Sequence, residues 1–461
     1  MKREPLLGAQ ERAPHLPLLV SFFAAFAARI GSSGRVVPLR RAERVHSSIH
    51  QRVSPSVPTP HQRVARRAAR LSASPCPRKR GCLEPRFTVA SWHVDRPRLN
   101  SIAIELTAHC NQKCAYCYNE WREDGGAAVG APRGATLFAR VERLLDAIEV
   151  DHVILTGGEP LAHKEVFSLL ERLAARGVPA QMISNGGLVD DRIAARLAAL
   201  RLRSVQVTLN GPDATLHEAH VGPGCFEPTL AGIRALQRHK VPVIGSVVVT
   251  RKNAAKTGET LALWRDLGVR LVALSRFSPA GYAARHAAEL LCGVPELTLA
   301  FEQALPFARD LGMDLVVTMP VPPCAVEVER FAPIRFGACP IGTSAQEIAL
   351  GPDGRLRNCT LHGGAIGGGP DLLDPAVDIA ALLRAPEVTE YRKRLPAFCE
   401  GCMHAETCGG GCGAAAAWML GDARGFPDPF VWQHIDDDFA ARLAAERARP
   451  SDGRRRLEVL S

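Results

Sequence analysis

Three cysteines stand close together near residue 110. Cys110, Cys114 and Cys117 follow the apolar run 101–106 with the spacing C-x3-C-x2-C. Three thiolates on one short loop can bind three irons of a cubane cluster and leave the fourth iron without a protein ligand. A zinc site would more often have four protein ligands. The loop therefore predicts a four-iron cluster with an open iron, where a substrate or cofactor can bind through its own donor atoms.

A second group of cysteines lies toward the C-terminus. Seven of them fall between residues 324 and 412, namely Cys324, Cys339, Cys359, Cys399, Cys402, Cys408 and Cys412. With Gly354 they give C-x14-G-x4-C followed by C-x2-C-x5-C-x3-C. Short fixed spacings indicate metal sites rather than disulfides. Residues 321–413 are also rich in Gly and Pro, and such a region usually needs metal to hold it together.

Six apolar runs, separated by amphipathic segments, must position the first cysteine loop. The runs span 101–106, 152–157, 180–184, 204–209, 243–249 and 269–275. Strand–helix repeats predict an α/β fold with a parallel sheet and right-handed helical crossovers. Six repeats are fewer than a closed eight-stranded barrel needs. We therefore expect a partial (β/α)6 barrel, followed by a small Cys-rich iron–sulfur domain, with ligands beyond the carboxyl ends of the strands.

Polar motifs follow several of these runs. Gly157-Gly158-Glu159-Pro160 follows the second, Ser184-Asn185-Gly186 the third, and Asn210 the fourth. Taken alone, the first motif is a turn and helix start with an early Pro, and the others are loop or turn residues. Arg276, past the sixth run, is placed either to reach a carboxylate or to form a surface ion pair.

Taken together, the three-cysteine loop, the Gly-Gly-Glu-Pro turn and the Ser-Asn-Gly turn resemble the radical S-adenosylmethionine (SAM) superfamily, over about residues 100–280. The resemblance implies that SAM chelates the open iron and that one electron from the cluster releases a 5′-deoxyadenosyl radical, which takes a hydrogen atom from substrate. Cys110, Cys114 and Cys117 would then be the catalytic cluster ligands. The glycines would let backbone approach SAM, Glu159 would hold the cationic cofactor, and Tyr116 would lie near the adenine. The implied SAM contacts are Tyr116, Gly157, Gly158, Glu159, Ser184, Asn185 and Asn210.

The C-terminal cysteines are similar to the SPASM extension of radical SAM enzymes, which carries two auxiliary four-iron clusters. The resemblance assigns the first cluster to Cys324, Cys339, Cys359 and Cys412, and three corners of the second to Cys399, Cys402 and Cys408. The pattern expects one more cysteine, and residues 413–461 hold none. The second cluster would then take Asp422, Asp428 or His434 as a ligand, or keep an open iron. Alternatively, Cys399 to Cys412 close one site alone, and zinc is then one of the metals that would fit it.

This resemblance implies an oxidoreductase that modifies a ribosomally made precursor peptide or a protein side chain. A chain of clusters can remove an electron from a product radical, which favours an oxidative crosslink. The alternatives are tetrapyrrole or small-cofactor maturation, and an electron carrier that cleaves no SAM. Expected partners are the peptide or protein substrate and an electron donor of the flavodoxin or ferredoxin type. Because residues 1–90 show no pattern of a leader-binding domain, recognition of a leader would need either a separate leader-peptide-binding protein as a further partner or the barrel itself.

The positive charge is confined to one end of the chain. Residues 1–90 hold 17 Lys and Arg against 4 Asp and Glu, whereas the remaining residues hold 40 against 43. A body without excess positive charge argues against nucleic-acid binding. The apolar patch 16–28 is too short for a membrane span but resembles a signal-peptide core. Three hypotheses stay open for this end: a disordered tail or a start codon placed too far upstream, a targeting segment, and a small functional module. Because export would expose a labile cluster to an oxidising compartment, we expect a cytoplasmic protein.

The domain prediction follows these composition shifts. It comprises a basic tail over 1–95, a partial barrel over 96–290, a helical bridge over 291–320, a SPASM-like domain over 321–415, and a C-terminal helical segment and tail over 416–461.

Overall fold

The computed structural model describes residues 96–122, 134–391, 395–422 and 425–448. The predicted basic tail with its apolar patch lies outside the described residues, as does the end of the predicted C-terminal segment. Within the described ranges, no helix combines the length and the apolar character needed to cross a bilayer.

In this part of the chain, ten strands form one sheet in the order β10-β9-β1-β2-β3-β4-β5-β6-β7-β8. All neighbouring strands are parallel except β9 and β10, which are antiparallel. The strands are β1 Arg98–Glu105, β2 Glu149–Thr156, β3 Ala180–Ser184, β4 Ser204–Thr208, β5 Val243–Val249, β6 Leu271–Arg276, β7 Asp314–Val317, β8 Arg335–Phe336, β9 Glu347–Leu350 and β10 Leu356–Arg357.

Helices connect the parallel strands of the barrel, and further helices follow in the Cys-rich region. They are α1 Gly134–Ala147, α2 Val166–Ala175, α3 Asp191–Ala199, α4 Ala214–Val221, α5 Phe226–Arg238, α6 Thr257–Asp266, α7 Ala287–Leu290, α8 Val294–Arg309, α9 Ile379–Leu383, α10 Pro386–Thr389, α11 Ala405–Cys408, α12 Gly413–Leu420, α13 Pro429–Trp432 and α14 Asp437–Ala448.

The six predicted apolar runs are confirmed as β1 to β6, in sequential order across the sheet. Their side chains supply much of the core, because strands covered by crossover helices are apolar on both faces. Val205 and Val207 of β4, for example, are fully buried. The fold is thus the expected α/β arrangement, a partial barrel built on a mostly parallel sheet.

Local sequence explains where several helices begin. The carboxylate of Asp190 accepts a hydrogen bond from the backbone N–H of Ile193 (2.7 Å) at the start of α3. Asp213 does the same for Leu216 (2.9 Å) at the start of α4. Such N-caps satisfy donors that have no partner within the helix. Both helices therefore begin just after the strand whose carboxyl end carries a site residue.

The sheet extends beyond the six predicted strands on both edges. The range 291–320, predicted as a helical bridge, contains α8 and also β7, which pairs with β6. On the other edge, β9 pairs in parallel with β1, with Ser101 opposite Glu347. The Cys-rich region thus shares hydrogen bonds with the strand that leads into the first cysteine loop.

Candidate functional site

The three-cysteine loop leaves the carboxyl end of β1 and crosses toward the end of α4. The backbone N–H of Lys113 donates to the carbonyl of Val221 (3.0 Å), and that of Ala115 donates to the carbonyl of His220 (2.9 Å). Cys110, Cys114 and Cys117 are all half-buried. Backbone pairing with a helix end therefore fixes a loop that has no regular secondary structure of its own.

The Gly-Gly-Glu turn after β2 packs directly on this loop. Gly158 N–H donates to the Thr107 carbonyl (2.6 Å), and Glu159 N–H donates to the His109 carbonyl (2.9 Å). A Cβ on Gly158 would lie 2.0 Å from the His109 oxygen, and Gly157 adopts a φ of 117°. The sequence analysis explained both glycines by close approach to SAM. In the structure the close approach is to the backbone that precedes Cys110, so the glycines position the cysteine loop.

Glu159 is fully buried and joins the ends of β2 and β3. Its carboxylate accepts hydrogen bonds from the hydroxyl of Ser184 (2.9 Å) and the backbone N–H groups of Asn185 (2.8 Å) and Leu161 (3.1 Å). Burial raises the pKa of Glu159, while these three donors favour its charged form. The carboxylate therefore has a structural task, which the sequence analysis did not foresee.

Asn185 connects this turn to the cysteines. Its side-chain amide donates to Asn111 Oδ1 (2.7 Å) and lies 3.8 Å from the sulfur of Cys110. Asn111 is a residue that the sequence analysis missed, although its place inside the C-x3-C segment was a signal. The structure thus brings four of the predicted site residues, Cys110, Glu159, Ser184 and Asn185, into one hydrogen-bonded group.

The thiols lie in a poorly solvated site and influence one another. Burial raises the pKa of Cys110 to about 11, and the Glu159 carboxylate and the Cys117 thiol raise it further. Burial also raises the pKa of Cys114, as do the thiols of Cys117 and Cys110. Bare thiolates are therefore unfavourable here, and cations bound to the sulfurs would stabilise them.

This donor set fits an iron–sulfur cluster. Three soft thiolates on one loop are the ligands that iron–sulfur clusters prefer, and three of them leave one iron of a cubane free. Within the described ranges, no three His, Cys, Asp or Glu side chains are grouped around a point where a single metal ion would bind. Thiolates of a cubane bind separate irons, so they need not converge on one point.

Tyr116 and Asn210 lie close to each other. Burial raises the pKa of the Tyr116 phenol, the Cys114 thiol raises it further, and the nearby Asn210 side chain lowers it. Asn210 is fully buried, and its side-chain oxygen accepts from the Val248 N–H (2.9 Å). The Asn253 amide donates to the Asn210 carbonyl (2.9 Å). Burial and these two hydrogen bonds thus hold Asn210 in place beside Tyr116, at the carboxyl end of β4.

Tyr118 links the first loop to the Cys-rich region, and the sequence analysis missed it. Its hydroxyl hydrogen-bonds the Thr156 hydroxyl (2.9 Å) at the end of β2. Burial raises the pKa of Tyr118 to about 12, and the thiols of Cys117 and Cys359 raise it as well. Tyr118 is therefore near enough to one cysteine of each group for both thiols to affect its pKa.

A buried charge network holds the same two regions together. Arg357, two residues before Cys359, forms ion pairs with Glu105 at the end of β1 and with Glu120 (3.3 Å) in the cysteine loop. Glu105 and Arg357 are almost fully buried, and losing one partner of such a pair typically costs about 3–5 kcal/mol. An acidic residue inside the apolar run 101–106 was the sequence signal for a buried partner.

The C-terminal cysteines fall into two neighbourhoods. Burial raises the pKa of Cys359 to about 12, and the thiols of Cys412 and Cys339 raise it further, so these three are neighbours. Burial raises the pKa of Cys324, and so do the Cys402 thiol and the Asp428 carboxylate. Cys324 thus lies beside a cysteine of the second predicted set, whereas the resemblance assigned it to the first.

Arg276 reaches a carboxylate of the chain itself, and its ion pair is buried rather than at the surface. Its guanidinium and the carboxylate of Asp428 form an ion pair in which both side chains are almost fully buried. Asp428 also accepts from the backbone N–H groups of Cys412 (2.8 Å) and Phe430 (2.9 Å). The end of β6 is thereby tied to the backbone of a cysteine.

Comparisons with known proteins find a family match over the segment that carries the first cysteine loop. Residues 104–263 match the family model described as the radical SAM superfamily. The chain is 32% identical over 179 residues to an AdoMet-dependent heme synthase of Methanosarcina barkeri, a match that covers 38% of this chain and 49% of that protein. It is 27% identical over 365 residues to the mycofactocin maturase MftC of Mycobacterium ulcerans, covering 75% of this chain and 90% of that protein.

The fold also resembles a solved structure. The crystal structure of Streptococcus suis SuiB bound to its precursor peptide SuiA superimposes with a TM-score of 0.58 at 15% identity, covering 72% of this chain and 75% of that chain. At this identity the likeness shows the fold alone. The chain spans about half the length of several curated relatives that it matches.

By its fold and site, this protein is an α/β partial barrel that carries three thiols on a loop at the carboxyl edge of its sheet. The match over residues 104–263 shows that the chain carries a radical SAM domain, the domain of an enzyme superfamily. The superfamily implies SAM and one [4Fe–4S] cluster as cofactors.

Proposed function

We propose that this chain is an enzyme that cleaves SAM reductively and modifies a substrate with the resulting 5′-deoxyadenosyl radical. The observation that carries the proposal is the group formed by Cys110, Glu159, Ser184 and Asn185 at the carboxyl ends of three neighbouring strands. In this proposal Cys110, Cys114 and Cys117 hold the [4Fe–4S] cluster. When bound, the cluster and SAM supply one electron and a carbon radical, respectively.

The chain's own residues orient and shield the cofactors. Asn185 has one amide hydrogen directed at Asn111 and lies against Cys110, so it fixes the edge of the site where a carboxylate or ribose would bind. Tyr116 offers a ring near the thiols, suited to an adenine face. Glu159 acts mainly as a positioning residue, because its carboxylate already accepts three hydrogen bonds. Gly157 and Gly158 bring this carboxylate against the cysteine loop.

The seven C-terminal cysteines hold auxiliary iron–sulfur clusters, in a SPASM-like arrangement. Support comes from their two neighbourhoods and from Tyr118, whose phenol is next to both Cys117 and Cys359. A path of this kind allows an electron to leave a product radical, which a bond-forming oxidation requires. For this reason the reaction that we propose is an oxidative crosslink.

The substrate in this proposal is a ribosomally made precursor peptide or a protein side chain. The likeness to a mycofactocin maturase over most of its length supports a peptide substrate, as does the fold that the chain has in common with a peptide-bound enzyme. The partners are then the peptide, a separate leader-peptide-binding protein, and a flavodoxin- or ferredoxin-type electron donor. The described cysteines need a reducing compartment to remain thiols, so we propose a cytoplasmic protein.

A second function has comparable support. The M. barkeri relative is a heme synthase, and it matches this chain at the higher identity, 32% over 179 residues. Oxidative modification of a tetrapyrrole also requires removal of an electron from a substrate radical, so the path through Tyr118 fits both substrates. The barrel chemistry is the same for the two functions, and the substrate pocket must differ.

One experiment separates the two substrates. The protein is co-expressed with each short peptide encoded beside its gene, and in parallel it is incubated without oxygen with SAM, dithionite and a panel of porphyrin precursors. Loss of two hydrogens from a peptide, dependent on Cys114, supports the peptide function. A changed porphyrin beside an unchanged peptide supports the second. The Cys114→Ala variant is the control in both arms, because it removes a proposed cluster ligand.

A further inference from the structure

The second auxiliary cluster lacks a fourth cysteine in the predicted pattern, and two of the three side chains suggested in its place, Asp428 and His434, are engaged elsewhere. The carboxylate of Asp428 is buried and already binds Arg276 and the N–H groups of Cys412 and Phe430. His434 packs against the Phe430 ring, 6.3 Å between centroids, and its charged neighbour is Glu296 on α8. Asp422 packs against Gly425.

The turn at Gly410 and Gly411 lies close to the Cys399 thiol and to the segment that leads to Cys324. A Cβ on Gly410 would lie 3.8 Å from the sulfur of Cys399, and a Cβ on Gly411 would lie 3.1 Å from Cγ of Pro322. Both glycines have positive φ, 82° and 83°. The segment leading to Cys324 and the segment bearing Cys399 therefore lie against the same two-residue turn, which follows Cys408.

Arg276 fixes the segment before Cys324 in this position. Its Nε donates to the carbonyl of Pro320 (2.6 Å), while its other end binds Asp428. The backbone N–H of Asp428 donates to the carbonyl of Gly410 (3.0 Å). The buried Arg276 and Asp428 thus connect Pro320 to the glycine turn. The segment that leads to Cys324 is therefore packed in the core.

The electrostatics agree with this placement. Burial raises the pKa of Cys408 to about 11; the backbone N–H groups of Gly410 and Gly411 oppose this shift, whereas the Cys324 thiol adds to it. The Cys402 thiol is likewise among the neighbours that raise the pKa of Cys324. The charges therefore place Cys324 near two cysteines of the second set, in agreement with the packing of Pro322 against Gly411.

We propose that Cys324 is the fourth thiolate of the second auxiliary cluster, together with Cys399, Cys402 and Cys408. This inference rests on the proposed function, since it requires that auxiliary clusters are present. It leaves Cys339, Cys359 and Cys412 to hold the first auxiliary cluster. That cluster then has three thiolates and one iron with a different ligand.

The test uses the full chain in which Cys110, Cys114 and Cys117 are replaced by Ala, so that only auxiliary clusters remain. After anaerobic reconstitution, two four-iron clusters give about eight irons per chain. Adding Cys359→Ala disables the first auxiliary cluster, and adding Cys402→Ala disables the second. Cys324→Ala is then introduced into each of these two backgrounds, and iron content and the Mössbauer and electron paramagnetic resonance spectra are recorded.

The proposal expects opposite results in the two backgrounds. Cys324→Ala removes or spectrally alters the remaining cluster when Cys359 is absent, and changes nothing when Cys402 is absent. The reverse pattern assigns Cys324 to the first cluster and overturns the proposal, as does no change in either background. Cys225→Ala, far along the chain at the start of α5, is the matched control for thiol removal, and circular dichroism checks that each variant folds.

Failure of the underlying function is recognised separately. If the parent with three alanines binds no iron at all, the auxiliary clusters do not exist, and the assignment of Cys324 and the proposed electron path both fall. SAM cleavage by the cluster on Cys110, Cys114 and Cys117 is tested separately, by formation of 5′-deoxyadenosine. If it binds iron that no Cys324 variant affects, only the assignment of Cys324 is wrong.

Discussion

Replacing Gly158 by Ala tests the packing of the Gly-Gly-Glu turn on the cysteine loop. The backbone of Gly158 has a negative φ, so alanine is not strained by conformation. Its Cβ, however, would lie 2.0 Å from the carbonyl oxygen of His109, where contacts under 3.0 Å are essentially never seen. The loop backbone must then move by about 1 Å, directly beside Cys110.

The expected effect is larger on chemistry than on stability. Overpacking of this kind costs about 1–3 kcal/mol in free energy of unfolding. A misplacement of about 1 Å in a reacting group can cost about a hundredfold in rate. We therefore expect Gly158→Ala to form 5′-deoxyadenosine about a hundred times more slowly than wild type while it still folds.

The assay is anaerobic incubation with SAM and dithionite, with 5′-deoxyadenosine quantified by chromatography and iron measured on the same samples. Gly258→Ala is the matched control, because Gly258 likewise has no positive φ and its nearest neighbouring atom would lie 3.5 Å from the added Cβ, an ordinary contact. It adds the same methyl group without the clash. Wild-type iron content and rate in Gly158→Ala would refute the proposed role of this contact.

Two other predictions concern buried polar groups. Glu159→Gln leaves a buried donor facing another donor, so the free energy of unfolding should fall by about 1–3 kcal/mol relative to wild type. Glu171 is exposed, so the control Glu171→Gln should change the free energy of unfolding little. Equal denaturation midpoints for the two variants would contradict this prediction. Burial lowers the pKa of His217 to about 4, so it stays neutral in the fold but is protonated below about 6.5 when unfolded. Stability should fall by up to about 3 kcal/mol as the pH drops from about 6.5 to 4. His217→Asn keeps an acceptor for the Asn210 N–H and should reduce this acid sensitivity, measured as the change in denaturation midpoint with pH. His239 is less buried, so the control His239→Asn should leave the sensitivity unchanged. An unchanged pH dependence of the midpoint in His217→Asn argues against a buried neutral imidazole.

The sequence predicted the barrel strands well because their residues are apolar on both faces. The run 243–249 is confirmed as β5 with identical limits, and 180–184 as β3. The strands at the two edges of the sheet were missed, since β8 and β10 are two residues long and carry no period. Pairing of β9 with β1 is a tertiary event, and no local pattern in 347–350 distinguishes it from a loop.

The composition of the site was easier to predict than the task of each residue. The apolar runs predicted that Cys110 and Asn185 each follow the carboxyl end of a strand, and the structure brings the two residues together across β2. The sequence did not show that Glu159 would be used to join two strands, because a hydrogen-bond partner depends on three-dimensional placement. The proposed ligand set of Cys324 is of the same kind. The resemblance grouped Cys324 with Cys339, whereas packing of Pro322 against Gly411 favours the set that contains Cys402 and Cys408.

The most direct measurement of the central claim is formation of 5′-deoxyadenosine by the anaerobically reconstituted protein, given SAM and dithionite. Wild type and Cys225→Ala should both form it, and Cys114→Ala should form none, because only Cys114 belongs to the loop proposed to hold the cluster. If wild type forms no 5′-deoxyadenosine, or Cys114→Ala forms as much as wild type, this account of the site is wrong.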